Sequence, residues 1–356
     1  MAAVINLAAL TFTADQLRQM NELVVKAVLE APTLNLFHEV ATGIRNDREI
    51  GIVPGTLGLM GKAAQGCEPT ADTLLNTAAL KTWSPKRIEV ILDQCATDIA
   101  ASMAKLSRKL GIEVNDLTST EYFAFILDLL SVDIPKMILR HAWFGNTAAA
   151  NVDASPAGVI TSGVNVAYFN VLNGFWQQLA VIYAADSNRR VAVTGNSQAT
   201  YALQKSVATP STMLADLNNV IDSAPAVLAA QPDQVLIVTR SVMQRAYRAL
   251  QAAGLAYKIE LQSNGFMLME WDGIPMYAVP LFDEWIRAYE DNGTKYNNPH
   301  RIVYTTKSNL IIGMEGTSLF DNVKTSFDDR TRYNRIEVSD AFDVKVLNDE
   351  LLQVGI

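Results

Sequence analysis

Two stretches of this 356-residue chain come close to catalytic loops. Pro54 to Ala64 (PGTLGLMGKAA) sets glycines ahead of Lys62, as in loops whose backbone N–H groups cradle phosphate. With Gly61-Lys62 as the fixed point, that chemistry needs glycine at 56 and a hydroxyl at 63 to hold magnesium. The sequence has Thr56 and Ala63, and no apolar strand precedes them, so a glycine-rich arm is expected instead. Val191 to Ala199 (VAVTGNSQA) is a nearer match. Strand, Gly-x-Ser-x-Ala and then a helical stretch is almost the strained turn that exposes a nucleophilic serine. A serine hydrolase using Ser197, with His300 downstream as base, is therefore the competing function of another class. Against it, His300 precedes a strand rather than following one, and no upstream glycine-rich oxyanion motif accompanies a histidine. An ordinary turn is the expectation.

No metal chemistry is indicated. His38, His141 and His300 lie far apart without the spacing of a zinc site. Asp328, Asp329, Asp340, Asp343, Asp349 and Glu350 lack the spacing of a calcium loop and read as a solvated strand face. A nucleic-acid stacking platform needs interleaved basic residues, and of the tryptophans at 83, 143, 176, 271 and 285 only Trp83 has any nearby, Lys81 and Lys86. The tryptophans are expected as core or interface anchors. Neither a catalytic residue nor a cofactor is expected.

The elements that must carry these residues follow from periodicity. Thr13-Ala-Asp-Gln16 has capping-box spacing ahead of an apolar stripe (Leu17, Met20, Leu23, Val24), and Pro32 ends that helix. Residues 45–86 are punctuated by Gly51, Gly55, Gly58, Gly61 and Gly66 and have no helical period, so they are expected to extend over another surface. Arg87 to Leu92 alternates like a strand. Asp98 can cap a helix that Gly111 stops. A longer apolar helix follows from Tyr122, with Pro135 expected to kink or restart it and Arg140 to Gly145 (RHAWFG) closing it. Residues 146–167 read as a linker, and Leu172, Phe175, Trp176, Leu179 and Ile182 as an amphipathic helix.

Thr209-Pro210 supplies a cap and first-turn proline for the next helix. Gln234 to Thr239 (QVLIVT) is a buried-strand run, and Ser241 to Ala253 the helix after it, ended by Gly254. Gly265 to Gly316 then alternates: two apolar strands joined at Asp272-Gly273, a short helix (FDEWIRAYEDNG), and two strands around a polar turn (RIVYTTKSNLIIGMEG). FDVKVL and ELLQVGI give two final strands. Strands and helices mix without strict βαβ alternation, so the class is α+β.

Composition narrows the function. With 49% hydrophobic and 19% charged residues the chain is globular. A net charge of −8, a pI near 5.0 and no Lys/Arg block argue against a protein built to grip nucleic acid. The start, MAAVINLAALTFTADQ, has no basic n-region of a signal peptide, and no apolar run approaches the roughly 20 residues of a membrane span. Cys67 and Cys95 fit two thiols in a reducing compartment.

The order "strand, Gly273-Ile274-Pro275, strand, helix, strand-turn-strand ending in Ile312-Gly313" resembles the end of the axial domain of tailed-phage major capsid proteins of the Hong Kong 97 type. Asn173-Gly174-Phe175, Trp143-Phe144-Gly145, and Gln234 to Thr239 with its helix recur in similar places, so the resemblance covers nearly the whole chain. It implies an N-terminal arm at 1–44, an extended loop at 45–97, and a peripheral domain at 98–205 with its spine helix at about 118–142. An axial domain at 206–320 would follow, then C-terminal strands at 321–356 returning to the peripheral domain. It also implies self-assembly into hexamers and pentamers of an icosahedral head that encloses double-stranded DNA without sequence-specific binding. Portal, scaffolding and head-completion or decoration proteins would be partners, with assembly in the bacterial host cytoplasm, a virion location and no membrane.

A nanocompartment shell of the encapsulin type is the related alternative. The N-terminus looks too short for a cleaved scaffold segment, which implies a separate scaffolding protein or none. Lys62 and Lys81 lie where some members cross-link, but no asparagine partner is matched, so no cross-link is assigned. Contact candidates between subunits are Gly51, Pro54, Gly55, Leu57, Leu59, Met60, Lys62, Trp83, Trp143 and Phe144. A subunit of charge −8 would leave packaged phosphates unneutralised.

Overall fold

The computed structural model describes residues 36–46, 49–52, 79–95, 133–149, 160–161, 163–255, 258–261, 266–316, 322–328 and 333–356. The expected helices at 13–31 and 98–110, and most of the stretch expected as spine helix, lie outside these residues. Within them the chain is α+β, built on a seven-stranded and a five-stranded sheet with a small two-stranded ribbon.

The seven-stranded sheet runs β5 (Arg190–Val191), β14 (Leu352–Gly355), β10 (Ile302–Thr306), β6 (Gln234–Thr239), β9 (Ile274–Val279), β8 (Met267–Trp271) and β7 (Glu260–Leu261). Its centre is covered on both faces, which explains the unbroken apolar run of β6. Val235 and Ile237 point to one side and Leu236 and Val238 to the other, as the two-residue strand period requires. On one face α4 (Pro210–Asp222) and α6 (Arg240–Ala252) pack through Met213, Leu217, Val220, Val242, Met243 and Ala246. On the other lie α1 (133–144), α2 (Phe175–Ala185) and α7 (Pro280–Tyr289), with Trp143, Phe175, Phe282 and Trp285 at the centre. Two short helices, α3 (Tyr201–Val207) and α5 (Ala226–Ala229), complete the set among the described residues.

The local rules read from sequence operate where expected. Thr209 accepts from Thr212 N ahead of Pro210 and starts α4. Asp272 and Gly273 take φ of 51° and 79°, the turn that joins β8 to β9. Pro135 lies inside α1, which runs on to Phe144. The helix after β9 stops at Tyr289, before Asn292-Gly293; those residues instead form the tip between bridged Asp291 and Tyr296. The strand expected at Val191 to Thr194 reduces to the two residues of β5. Gly145 and Gly174 face each other where α1 ends and α2 begins. A Cβ on Gly145 would sit 2.5 Å from the carbonyls of His141 and Leu172, so only glycine allows the approach.

The five-stranded sheet is organised by β13 (Tyr333–Val346). Its 14 residues correspond to roughly 45 Å of strand. Along one edge β4 (Lys86–Cys95) pairs from Tyr333 to Phe342. The other edge takes β12 (Asn322–Asp328) and then β11 (Leu310–Met314), with β1 (Glu39–Ala41) parallel to β11. FDVKVL is thus only the end of a strand that starts at Tyr333.

The two strands expected around the polar turn at 307–309 belong to different sheets: β10 to the seven-stranded one and β11 to the five-stranded one. The chain crosses back between β13 and β14. Asn309 ties both crossings together. Its side-chain amide donates toward Thr305 Oγ1 (3.1 Å), Asn348 O (3.0 Å) and Leu351 O (3.0 Å), and its Oδ1 accepts from Asn348 N (2.6 Å). Asn309→Ala leaves the Asn348 N–H and carbonyl without their side-chain partner, while Leu351 O keeps Thr305 Oγ1 (2.7 Å), and should cost about 2–3 kcal/mol. A urea titration followed by tryptophan fluorescence measures this; a loss below about 0.5 kcal/mol would show that the crossings are held elsewhere.

Candidate assembly surfaces

Of the contact candidates read from sequence, Pro54, Gly55, Leu57, Leu59, Met60 and Lys62 lie outside the described residues. Gly51 is in β2 (Glu49–Ile52), which pairs antiparallel with β3 (Ala79–Thr82) through Gly51↔Leu80 and Ile52↔Ala79. The aromatic candidates need correcting. Trp83, Trp143 and Phe144 are 4%, 0% and 6% exposed, so in this chain they are interior anchors rather than contact side chains. Trp143 donates from Nε1 to His38 Nε2 at 2.8 Å and packs among Phe175, Trp176 and Phe282. Trp83 packs with Ile44 and Ile311 beneath the β2–β3 ribbon.

That ribbon is anchored by residues whose structural role the sequence did not reveal. Lys81 Nζ donates to Val346 O (2.7 Å) and pairs with Asp349 (2.6 Å). Ser84 N donates to Asp343 Oδ2 (2.9 Å). Gln178 on α2 reads the nearby edge of β13, donating to Val344 O and accepting from Val346 N. These groups border an open cavity of about 540 Å³, and Val181 beside it is 70% exposed. Leu80 on β3 is 63% exposed. The acidic residues near the C-terminus, expected as a solvated face, are thus partly structural: Asp343 is buried and fixed to Ser84 and Lys345. Only a three-dimensional neighbour reveals that role, because the partners lie more than 250 residues apart for Ser84 and Lys81.

The Ser197 turn has a structural explanation. Asn196 clamps the His300 backbone, donating from Nδ2 to His300 O (2.7 Å) and accepting from His300 N (3.0 Å). Thr194 is held by Asp216 through both N and Oγ1. The His300 ring is engaged elsewhere. Arg245 donates to Nε2 (3.1 Å), which makes Nε2 the acceptor, so Nδ1 carries the proton toward Ser241 Oγ (2.8 Å). Neither nitrogen is offered to Ser197, whose side chain is exposed. Burial, then the Arg245 charge, lowers the His300 pKa to about 4. His141, buried beside Arg140, is likewise lowered to about 4. Among the described residues no group of three or more His, Cys, Asp or Glu could hold a metal, and no helix is long and apolar enough to cross a membrane.

No family model matches this sequence, and no curated protein does either. Similar solved structures exist at low identity. A satellite phage P4 procapsid with its size determination protein is 12% identical over 97% of this chain and 98% of that one, with a TM-score of 0.47. An encapsulin complex from Synechococcus elongatus is 12% identical over 98% and 91%, with a TM-score of 0.47. The capsid of a native GTA particle is 10% identical over 92% and 89%, with a TM-score of 0.48.

Ser197→Ala should leave stability within about 0.5 kcal/mol of the parent, while Asn196→Ala, which strips both bonds from the His300 peptide, should cost about 2–3 kcal/mol. Equilibrium unfolding of the two variants checks the contrast; equal losses would remove the structural account of the turn. The histidines set an acid limit. Their folded pKa values lie below the unfolded value near 6.5, so the unfolded chain binds protons first. Their contribution is intact above pH 6.5 and is lost as pH falls toward 4, by roughly 3 kcal/mol apiece at most. Urea midpoints from pH 7 to 4 should fall through this window, and less steeply in His141→Gln.

Proposed function

We propose that this chain is the repeating subunit of an icosahedral phage head, associating as hexamers and pentamers around double-stranded DNA. The observation that carries the reading is the β2–β3 ribbon. Its base is fastened to the C-terminal end of β13 by Lys81, Asp349, Ser84 and Asp343, and its free end leads into residues 53–78. A stem pinned to the body at one end, with Leu80 open to solvent on it, is suited to presenting an inserted segment to a neighbouring molecule. Behind it stands a core packed on both faces of the seven-stranded sheet. The order of parts along the sequence resembles that of major capsid proteins of the Hong Kong 97 type, and this stem falls where their extended loop begins and ends.

In this reading residues 1–44 form an arm, 45–97 the loop, 98–205 and 321–356 the peripheral domain, and 206–320 the axial domain. Contact between subunits is assigned to Gly51, Pro54, Gly55, Leu57, Leu59, Met60 and Lys62. Portal, scaffolding and decoration or head-completion proteins are the further partners, and assembly occurs in the host cytoplasm before the subunit resides in the virion. Many modest contacts repeated by symmetry would supply the stability of the shell.

Negative-stain microscopy of the expressed chain, alone and with its scaffold gene, should show uniform shells or capsomers. A chain that stays monomeric in both conditions would sink the proposal. The loop has its own test. Ile52 and Ala79 are paired across the ribbon, so an Asn-Gly turn can replace residues 53–78 without disturbing β2 or β3. This deletion should keep the parent's unfolding midpoint and form no stable shells. Unfolding of the deleted chain, or normal shells from it, would remove the loop from the assembly mechanism.

A further inference from the structure

The seven-stranded sheet carries opposite charges on two sides that one molecule cannot bring together. β6 and β9 run parallel, and α6 and α7 start directly after them, so both helices begin at the same end of the sheet. Between them lies an open groove of about 650 Å³ whose lining includes Arg240, Arg245, Arg248 and Arg287 against the carboxylates Asp283 and Glu284. Asp283 is already engaged: its carboxylate accepts from Arg240 N (2.6 Å) and Ser241 N (3.2 Å) and so caps α6. Arg245 is held by His300, and the Arg240 guanidinium faces Gln244. Arg248 and Arg287 are exposed and form no ion pair among the described residues. The groove is left with uncompensated positive charge on a protein whose net charge is −8.

The complement lies at the opposite end of β9, toward the outer edge of the sheet. The β8–β9 turn at Asp272-Gly273 and strand β7 border a second open cavity, of about 640 Å³, with Glu260, Glu270 and Asp272 against a single cation, Lys258. Lys258 is paired with Glu260 at 2.6 Å. Glu270 and Asp272 are exposed and form no ion pair among the described residues.

We propose that the arginine groove of one copy receives the acidic β7–β8–β9 edge of the next, head to tail around a ring. Two different surfaces at opposite ends of one sheet make a heterologous contact, which closes into rings when the rotation per subunit allows. The occupant is a second copy because this chain itself carries the matching charge on an accessible edge. A nucleic-acid phosphate would meet the same arginines, but on a subunit whose overall charge repels it. The inference rests on the shell reading and names the contact that would hold its capsomers.

Two double variants test it: Arg248→Glu with Arg287→Glu, and Glu260→Lys with Glu270→Lys. Sedimentation velocity at about 0.1 M salt reads association, and circular dichroism confirms folding. Each variant alone should associate at least roughly tenfold more weakly than the parent. An equimolar mixture should restore association, because each chain then finds an opposite charge on both sides. If the parent assembles and the separate variants assemble equally well, or the mixture of folded variants restores nothing, this contact is wrong while the shell reading stands. If the arginine variant still assembles but loses retention of a single- or double-stranded DNA oligonucleotide, the groove belongs to nucleic acid. A parent that never associates brings down the shell reading and this contact together.

Discussion

The amide of Asn309 sits where the chain leaves one sheet for the other, and the integrity of the fold depends on that position. The chain passes from the seven-stranded to the five-stranded sheet at 307–309 and returns at 347–351. Each crossing keeps a single backbone bond that prolongs a ladder, Lys307 N to Asp233 O and Leu347 N to Asn309 O. Asn309 joins them by accepting from Asn348 N and donating toward the carbonyls of Asn348 and Leu351, while its backbone carbonyl accepts from Leu347 N. Backbone groups that leave a sheet must be satisfied elsewhere or lose free energy. One buried side chain here answers for several of them. Because β13 carries β4 and β12, and β14 pairs with both β10 and β5, a displacement at Asn309 would reach most strands of both sheets.

A second constraint holds the helical face against the sheet. Arg301 is 3% exposed and reaches Glu290 at the end of α7, with the guanidinium 4.9 Å above the Trp176 ring and 5.3 Å from that of Phe144. Its Nε and Nη2 also satisfy the carbonyls of Asn298 and Asn297. A guanidinium shared by two rings, a carboxylate and two carbonyls is well compensated, and the planar fork suits such a site better than a lysine would. Burial nevertheless raises the Glu290 pKa, with Arg301 opposing the shift. A buried pair of this kind is stronger as a specifier of geometry than as a source of net stability. It fixes α7, and thereby the groove between α6 and α7.

Local physics made much of this legible in the sequence. The cap at Thr209, the fully buried strand at 234–239, the Asp272-Gly273 turn and the helix ended at Gly254 each follow from a few neighbouring residues, and the structure places them within a residue or two. Pairing was not legible. The sequence around 301–316 reads as two strands about a turn, which looks like a hairpin, yet β10 and β11 enter different sheets. What decides it is Asn309 meeting residues far along the chain, and no short window contains that. The aromatic contact candidates failed for a related reason. Trp143 looks available on an amphipathic helix until His38 and Phe175 are seen to close over it. The arginines of α6 were visible as residues but not as a group, because Arg287 joins them only when β6 and β9 lie parallel.

On the shell reading proposed above, a subunit that associates must also avoid associating wrongly, and its sheet edges bear on how. Among the described residues β4 has only β13 as a partner, so within them its other edge is open, with Ile91 exposed on the strand. Such an edge invites pairing with any passing strand. Lys86, Arg87 and Glu89 line its first half, and Arg87 reaches both Glu89 and Glu337. These charges are cheap to keep in water and costly to bury beneath a foreign strand. Among the described residues the edges of the other sheet, β5 and β7, are two residues each, little backbone on which to template addition. With backbone edges discouraged, recognition in the proposed assembly would fall to side chains: the apolar stem at Leu80 and the segregated charges of the groove and hairpin. Contacts of that kind are individually weak and directional, so a wrong arrangement can dissociate before the right one accumulates enough contacts to persist.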